Sequence, residues 1–133
     1  MKPTVLIIDD DAAITQQLFW TLCDDYDVVT ANDLHTAVRR ATIYEPDVSI
    51  LDLYFPPTAD SPEVGLRILE YIKAHFPESK VVVITSASGV DALKACYAGG
   101  ADELLNKPFD TEQLLATMRR LAPLRRLDVA YPG

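Results

Sequence analysis

Four short runs of the chain end in residues suited to phosphoryl chemistry. Val5-Leu6-Ile7-Ile8 runs into Asp9, Asp10 and Asp11, and Val48-Ser49-Ile50-Leu51 runs into Asp52. Val81-Val82-Val83-Ile84 runs into Thr85-Ser86, and Ala101 to Leu105 runs into Asn106-Lys107-Pro108. Three carboxylates brought into one pocket repel one another, and they stay ionised together when a cation sits among them. An all-oxygen donor set suits a hard cation such as Mg²⁺, which keeps several waters and completes its shell with a phosphate. Asp52 is then the candidate nucleophile, because carboxylates form aspartyl phosphates. Lys107 can neutralise a phosphoryl oxygen, and the Thr85 hydroxyl can donate to another.

Taken singly, each residue has an ordinary use. Three acids after a strand can cap a helix, a strand-end Asp can turn the chain, and a Lys-Pro pair can make a loop. What carries the functional reading is that all these types fall at the same kind of place, the end of an apolar run.

The elements that must position them follow from hydrophobic period. The continuous aliphatic runs are strands buried on both faces. A second strand is expected over Tyr26 to Ala31. Helical spacing appears in Ile14, Leu18 and Leu22; in Leu34, Val38, Ala41 and Tyr44; and in Ile68, Leu69, Ile72 and Phe76. A weaker helix is expected over residues 89–98, closed by Gly99-Gly100. The last helix carries Leu114, Leu115, Met118 and Leu121, with Asp110 as its cap and Gln113 at the capping-box position. Pro46, Pro77 and Pro123 stop helices. Five strand-helix repeats predict a single α/β domain: one doubly wound, five-stranded parallel sheet with five helices covering both faces. Ligands of such sheets bind at the carboxyl ends of the strands, where strand order reverses. If strands one and three are neighbours there, Asp9, Asp10 and Asp52 converge.

Length and charge bound the function. One domain accounts for 133 residues, and 49% apolar with 24% charged residues is globular composition. The net charge of −8 argues against direct nucleic-acid binding by this chain. Four of the arginines (Arg119, Arg120, Arg125, Arg126) stand near the C-terminus, so the remainder is strongly acidic. No apolar run approaches a membrane span, and the first apolar stretch is too short for a signal peptide. Cys23 and Cys96 have no ligand spacing, which suits a reduced, cytoplasmic protein.

With these residues in hand, residues 4 to about 121 resemble the receiver domain of two-component response regulators. The motifs are Val5-Leu6-Ile7-Ile8-Asp9-Asp10-Asp11, Ile50-Leu51-Asp52, Ile84-Thr85-Ser86 and Asn106-Lys107-Pro108-Phe109. The resemblance implies a flavodoxin-like sheet of order 2-1-3-4-5. It implies that Asp52 is the phosphoacceptor and that Asp10 binds Mg²⁺ directly, with Asp9 acting mainly through water. The backbone carbonyl of Tyr54 is the implied third protein ligand of the metal. Thr85 is the implied switch hydroxyl, and Lys107 the implied phosphoryl-binding lysine, followed by a cis peptide to Pro108. A sensor histidine kinase or phosphotransfer protein is the implied donor, and an output domain or partner the implied target. A homodimer is the other association the family suggests. Residues 1–122 are expected to be the receiver and 123–133 a tail or the start of a linker.

Four departures from the family pattern stand out. Pro56 is followed by Gly65 nine residues on, with Val64 where an Asp is usual, so about five residues are inserted in the loop from Leu53 to Glu63. Leu104 replaces the usual aromatic switch residue. Tyr54 is bulky at a position near the phosphoryl group, and Ala87, two residues past Thr85, is small. Tyr54 and the long loop are expected to slow attack of water on the aspartyl phosphate. Three alternatives make different demands on these residues. A haloacid-dehalogenase-like phosphatase would need Thr or Val where Ala13 stands. A flavodoxin would need a phosphate loop where the three acids stand. A pseudo-receiver would have its site blocked by the 53–63 loop. His35 and His75 are expected at the surface or as caps, Trp20 is expected half-buried, and Tyr97 at the edge of the core.

Overall fold

β-branched and aliphatic runs, interrupted inside only by the buried Ser49, make β1 (Thr4–Ile8), β3 (Val48–Asp52) and β4 (Lys80–Thr85) the centre of the sheet. β2 (Asp27–Ala31) and β5 (Glu103–Asn106), with more polar residues, lie at its edges. The structure is a computed structural model that describes residues 2–54, 62–86 and 90–122. All pairings are parallel, and the strand order is β2-β1-β3-β4-β5. The fold class and order expected from the sequence are therefore both observed.

The helices α1 (Ala12–Leu22), α2 (Leu34–Tyr44), α3 (Glu63–His75), α4 (Val90–Ala98) and α5 (Thr111–Leu121) divide between the two faces. Alternation along the strands feeds two cores. Leu6, Ile8, Leu51, Val81 and Val83 meet Ala37 and Ala41 of α2, Ile68, Leu69 and Ile72 of α3, and Cys96 of α4. Val5, Ile7, Ile50, Val82 and Ile84 meet Leu18 and Leu22 of α1 and Leu114 and Met118 of α5. Gly100 has φ +103°, which permits the turn out of α4 that the Gly99-Gly100 pair predicted.

Two expectations about side chains are corrected. Trp20 is 73% exposed rather than half-buried. The face formed by Leu18 and Leu22 already fills the space beneath α1, and the indole lies around the helix from it. Tyr97 is 54% exposed rather than at the core edge, because Cys96 takes the inward position on α4. Tyr44 is 51% exposed, since α2 buries its small residues, Ala37 and Ala41, against the sheet. The second strand starts at Asp27, one residue later than expected, and the fifth starts at Glu103. His35 is exposed, and His75 donates from Nδ1–H to the Tyr71 carbonyl (3.0 Å) while stacking on the Tyr71 ring. Cys23 and Cys96 are free thiols.

Candidate functional site at the carboxyl edge of the sheet

β1 and β3 are direct neighbours, with Ile8 opposite Leu51. That register carries the acids following β1 and the last residue of β3 to one edge. Asp9 is held there from both directions. Its N–H donates to the Ala31 carbonyl (3.1 Å), and its Oδ1 accepts from the Asp11 N–H (2.8 Å). Asp11 has a different use: its carboxylate caps α1, accepting from the N–H groups of Ala13 and Ile14. The run of three acids thus splits into two that face the site or solvent and one that starts the helix.

Asp9, Asp10 and Asp52 each place a carboxylate oxygen within 4.8 Å of the others. Asp9 and Asp52 are buried, whereas Asp10 is exposed. Lys107, at the end of β5, reaches between the two buried acids. Its Nζ lies 3.4 Å from Asp52 Oδ2 and 3.6 Å from Asp9 Oδ2. The Lys107 N–H also donates to the Thr85 carbonyl (3.0 Å), tying the ends of β4 and β5 together, and Lys107-Pro108 is cis. Thr85 is buried at the end of β4. Tyr54 follows Asp52 by two residues. Its backbone N–H donates to Asp52 Oδ1 (3.2 Å), and its half-buried side chain packs against the core beneath α2 and α3.

The electrostatics follow from this crowding. Burial, then the Asp9 charge, push the Asp52 carboxyl up to about 6, against the pull of Lys107 and of the Tyr54 N–H. Asp9 is also raised, chiefly by burial, with its bond from Asp11 and the Lys107 charge opposing. One lysine against three carboxylates leaves the cluster short of positive charge. A divalent cation with oxygen preference fits such a donor set, and Asp9, Asp10 and Asp52 are the residues present to hold it.

Two features of the site were not read from the sequence. α3 presses its backbone onto the segment just after Asp52: a Cβ on Gly65 would fall 2.2 Å from the Leu53 carbonyl oxygen. An isolated glycine inside a helical pattern signals close backbone approach, but the partner cannot be named without the fold. Beside the acids, between α1 and α2, lies a cleft of about 420 Å³ lined by Asp9, Asp10, Thr15, Gln16, Thr36 and Arg40, among others. Arg40 donates to the Thr30 carbonyl there. No sequence signal singled out Arg40, because it is one helix-surface arginine among several. Residues 55–61 and Ala87 lie outside the described residues, so the expected insertion within 53–63 and the small residue two past Thr85 are known from sequence alone.

Fold and site together define a doubly wound signalling-type α/β module, with acids and a lysine gathered at the switch point of its sheet. The chain belongs to the response regulator receiver domain family, whose model matches residues 5–119. It is a receiver domain of a response regulator of two-component signalling. Among curated proteins it is similar to the response regulator MprA of Mycobacterium tuberculosis, 32% identical over 127 residues, covering 95% of this chain and 52% of that one. MprA of Mycobacterium ulcerans is 30% identical over 129 residues, covering 96% and 53%. The chain spans about half the length of these curated relatives. Among solved structures, the Vibrio cholerae chemotaxis protein CheY4 superposes with a TM-score of 0.81 at 28% identity, covering 91% of this chain and 99% of that one. The BeF3-activated DrrB receiver domain superposes with a TM-score of 0.76 at 26% identity, covering 91% and 97%. Neither the phosphatase nor the flavodoxin alternative finds support.

Proposed function

We propose that this domain takes a phosphoryl group onto Asp52 from a phosphohistidine of a sensor kinase or phosphotransfer protein, and so switches an output domain or partner. The observation that carries this reading is Lys107 Nζ lying between Asp52 and Asp9 while three carboxylate oxygens converge within 4.8 Å. An Asp52 oxygen attacks phosphorus, the phosphorus–nitrogen bond of the donor breaks, and the imidazole leaves with the bonding pair. Asp9, Asp10, Asp52 and the carbonyl of Tyr54 are the groups proposed to hold Mg²⁺. When bound, the ion supplies positive charge against the transferring oxygens. Lys107 holds one phosphoryl oxygen, and the Thr85 hydroxyl turns toward another. The Tyr54 N–H keeps Asp52 in its attacking orientation.

The domain is thus a binding module that catalyses only its own phosphorylation and dephosphorylation. Residues 1–122 are the proposed receiver, and 123–133 a tail or the start of a linker. No helix among the described residues is long and apolar enough to cross a membrane, and a cytoplasmic setting is part of the proposal.

The test is intact mass after incubation with Mg²⁺ and acetyl phosphate, beside Asp52→Asn and EDTA controls. A gain of one phosphate (about 80 Da) that is lost in both controls is the expected result. Labelling that survives Asp52→Asn would move the nucleophile elsewhere. A folded, Mg²⁺-binding protein that takes up no phosphate from acetyl phosphate or a kinase would overturn the reading.

A further inference from the structure

β2 is an edge of the sheet, pairing with β1 alone among the described strands. Its last residue nonetheless serves the site. Ile8 stands opposite Ala31, and the next residue, Asp9, donates its N–H to the Ala31 carbonyl (3.1 Å). Asp9 therefore takes its backbone position from the end of β2. Successive carbonyls of a strand point to opposite edges. The Thr30 carbonyl thus faces away from β1, where an edge strand has no ladder partner.

Arg40 fills that place. Its guanidinium donates through Nη1 to the Thr30 carbonyl. The side chain leaves α2 between Ala37 and Ala41, both buried in the core beneath the helix. The start of α2 is pinned by the Asp33 carboxylate, which accepts from the Thr36 N–H (2.7 Å). The end of β2 is thus gripped from both edges, by β1 on one and by α2 on the other.

We propose that Arg40 is a positioning residue for the acid cluster. By holding the Thr30 carbonyl it fixes the Ala31 carbonyl, and so the place where Asp9 converges with Asp10 and Asp52. The proposal rests on the reading that these acids hold Mg²⁺. Charge and position make opposite demands on Arg40, which lines the same cleft as Asp9 and Asp10. Acting only as a nearby positive charge it repels a cation, and its removal tightens Mg²⁺ binding. Acting through β2, its removal loosens Asp9 and weakens binding.

Two readouts on the full chain separate the link from its consequence. Amide exchange of Asp9, followed by NMR without metal, reads the bond to Ala31. Calorimetric titration with Mg²⁺ reads the site. In Arg40→Ala the Asp9 amide is expected to exchange roughly 10-fold faster, as the strand end opens locally. Mg²⁺ affinity is expected to fall roughly 3- to 10-fold, the low end of the loss when a group orienting a metal ligand is removed. Arg40→Lys is expected to restore both, because an ammonium also supplies the one donor that the carbonyl needs. Arg39→Ala removes the same charge from an exposed position on α2, and Ile72→Val trims the core from α3. Neither is expected to move either readout. Unchanged Asp9 exchange in Arg40→Ala would overturn the link. Equal or higher Mg²⁺ affinity in that variant, or the same loss in Arg39→Ala, would overturn the positioning role. An unmodified chain that binds no Mg²⁺ would instead sink the reading of the acids, and faster Asp9 exchange in Arg40→Ala would then still uphold the link from Arg40 to Asp9.

Discussion

Gly65 of α3 lies so close to the backbone of Leu53 that a Cβ there would be 2.2 Å from the Leu53 carbonyl oxygen and 2.9 Å from its Cα. Leu53 directly follows Asp52, so α3 and the candidate nucleophile are fixed against each other by backbone alone. Gly65→Ala cannot be absorbed by a side-chain rotation, because the atoms it meets are main chain. The expected cost is about 2–3 kcal/mol or more, from forced displacement of packed backbone. Gly99→Ala is the comparison, because its nearest contact is the flexible tip of Leu69 at 3.1 Å. Urea denaturation of both should show a large loss for Gly65→Ala and a small change for Gly99→Ala. A shift of Asp52 should also slow labelling by acetyl phosphate in whatever Gly65→Ala protein remains folded.

Asp52 is held in a way that works against stability. Its carboxyl titrates near 6 when folded and near 3.8 when exposed, with burial as the main cause. Above pH 6 the folded state keeps a charge it disfavours, and stability is regained as pH falls from 6 to 4. The difference corresponds to about 3 kcal/mol at pH 7. Asp52→Asn removes that charge but also its attraction to Lys107, so a net gain of about 1–3 kcal/mol at pH 7 is expected. The gain should vanish below pH 4, where both proteins carry a neutral group. Thermal melts at pH 7.5 and pH 4 measure it. Added Mg²⁺ should raise the melting temperature of the wild type more than that of the variant, since an ion that binds only the folded state stabilises it.

Much of this site was legible because α/β topology turns sequence order into position. Once the aliphatic runs are strands, their next residues share an edge, and Asp9, Asp52, Thr85 and Lys107 fall there without further information. What stayed hidden depends on distances between elements that sequence spacing does not encode. The Gly65–Leu53 approach is one such case, as is the cleft lined by Arg40. The misjudged exposures of Trp20 and Tyr97 share a cause. Periodicity identifies which residues share a face, but not how wide a strip of each helix the sheet covers. Here small residues, Ala37 and Ala41, meet the sheet and larger apolar ones point outward.

Lys107 is the counter-charge for two buried carboxylates, at 3.4 Å and 3.6 Å. Lys107→Met keeps the length and removes the charge. Asp52 and Asp9 then face each other with less compensation, so the Asp52 carboxyl should titrate above its present value of about 6. Folding stability at pH 7 should fall by about 1–3 kcal/mol, with the deficit shrinking as pH drops and the acids protonate. The rate of phosphoryl uptake should fall roughly 100-fold, the scale expected when one charge-stabilising donor is lost from a transition state. Carboxyl titration followed by NMR separates the two effects. An unshifted Asp52 would mean that Lys107 is screened by solvent and matters little.

Tyr54 bears on how long the phosphoryl group would last. Its N–H fixes Asp52 through the main chain, while its half-buried ring packs on the core beneath α2 and α3. A side-chain substitution can therefore leave the nucleophile oriented and change only the room beside it. Tyr54→Asn replaces a large ring with a short amide, which opens space for water and offers it a hydrogen-bonding partner. Excluding water is one way a site protects a reactive intermediate, so its loss should accelerate hydrolysis roughly 3- to 10-fold. The rate of phosphate uptake should change far less, because the Tyr54 N–H and Lys107 remain in place. The measurement is the first-order decay of the phosphorylated mass after the donor is removed, with Mg²⁺ held constant. Decay no faster than that of the wild type would mean that the ring does not shield the phosphoryl group, and the source of any long lifetime would then have to lie in the inserted loop after Tyr54.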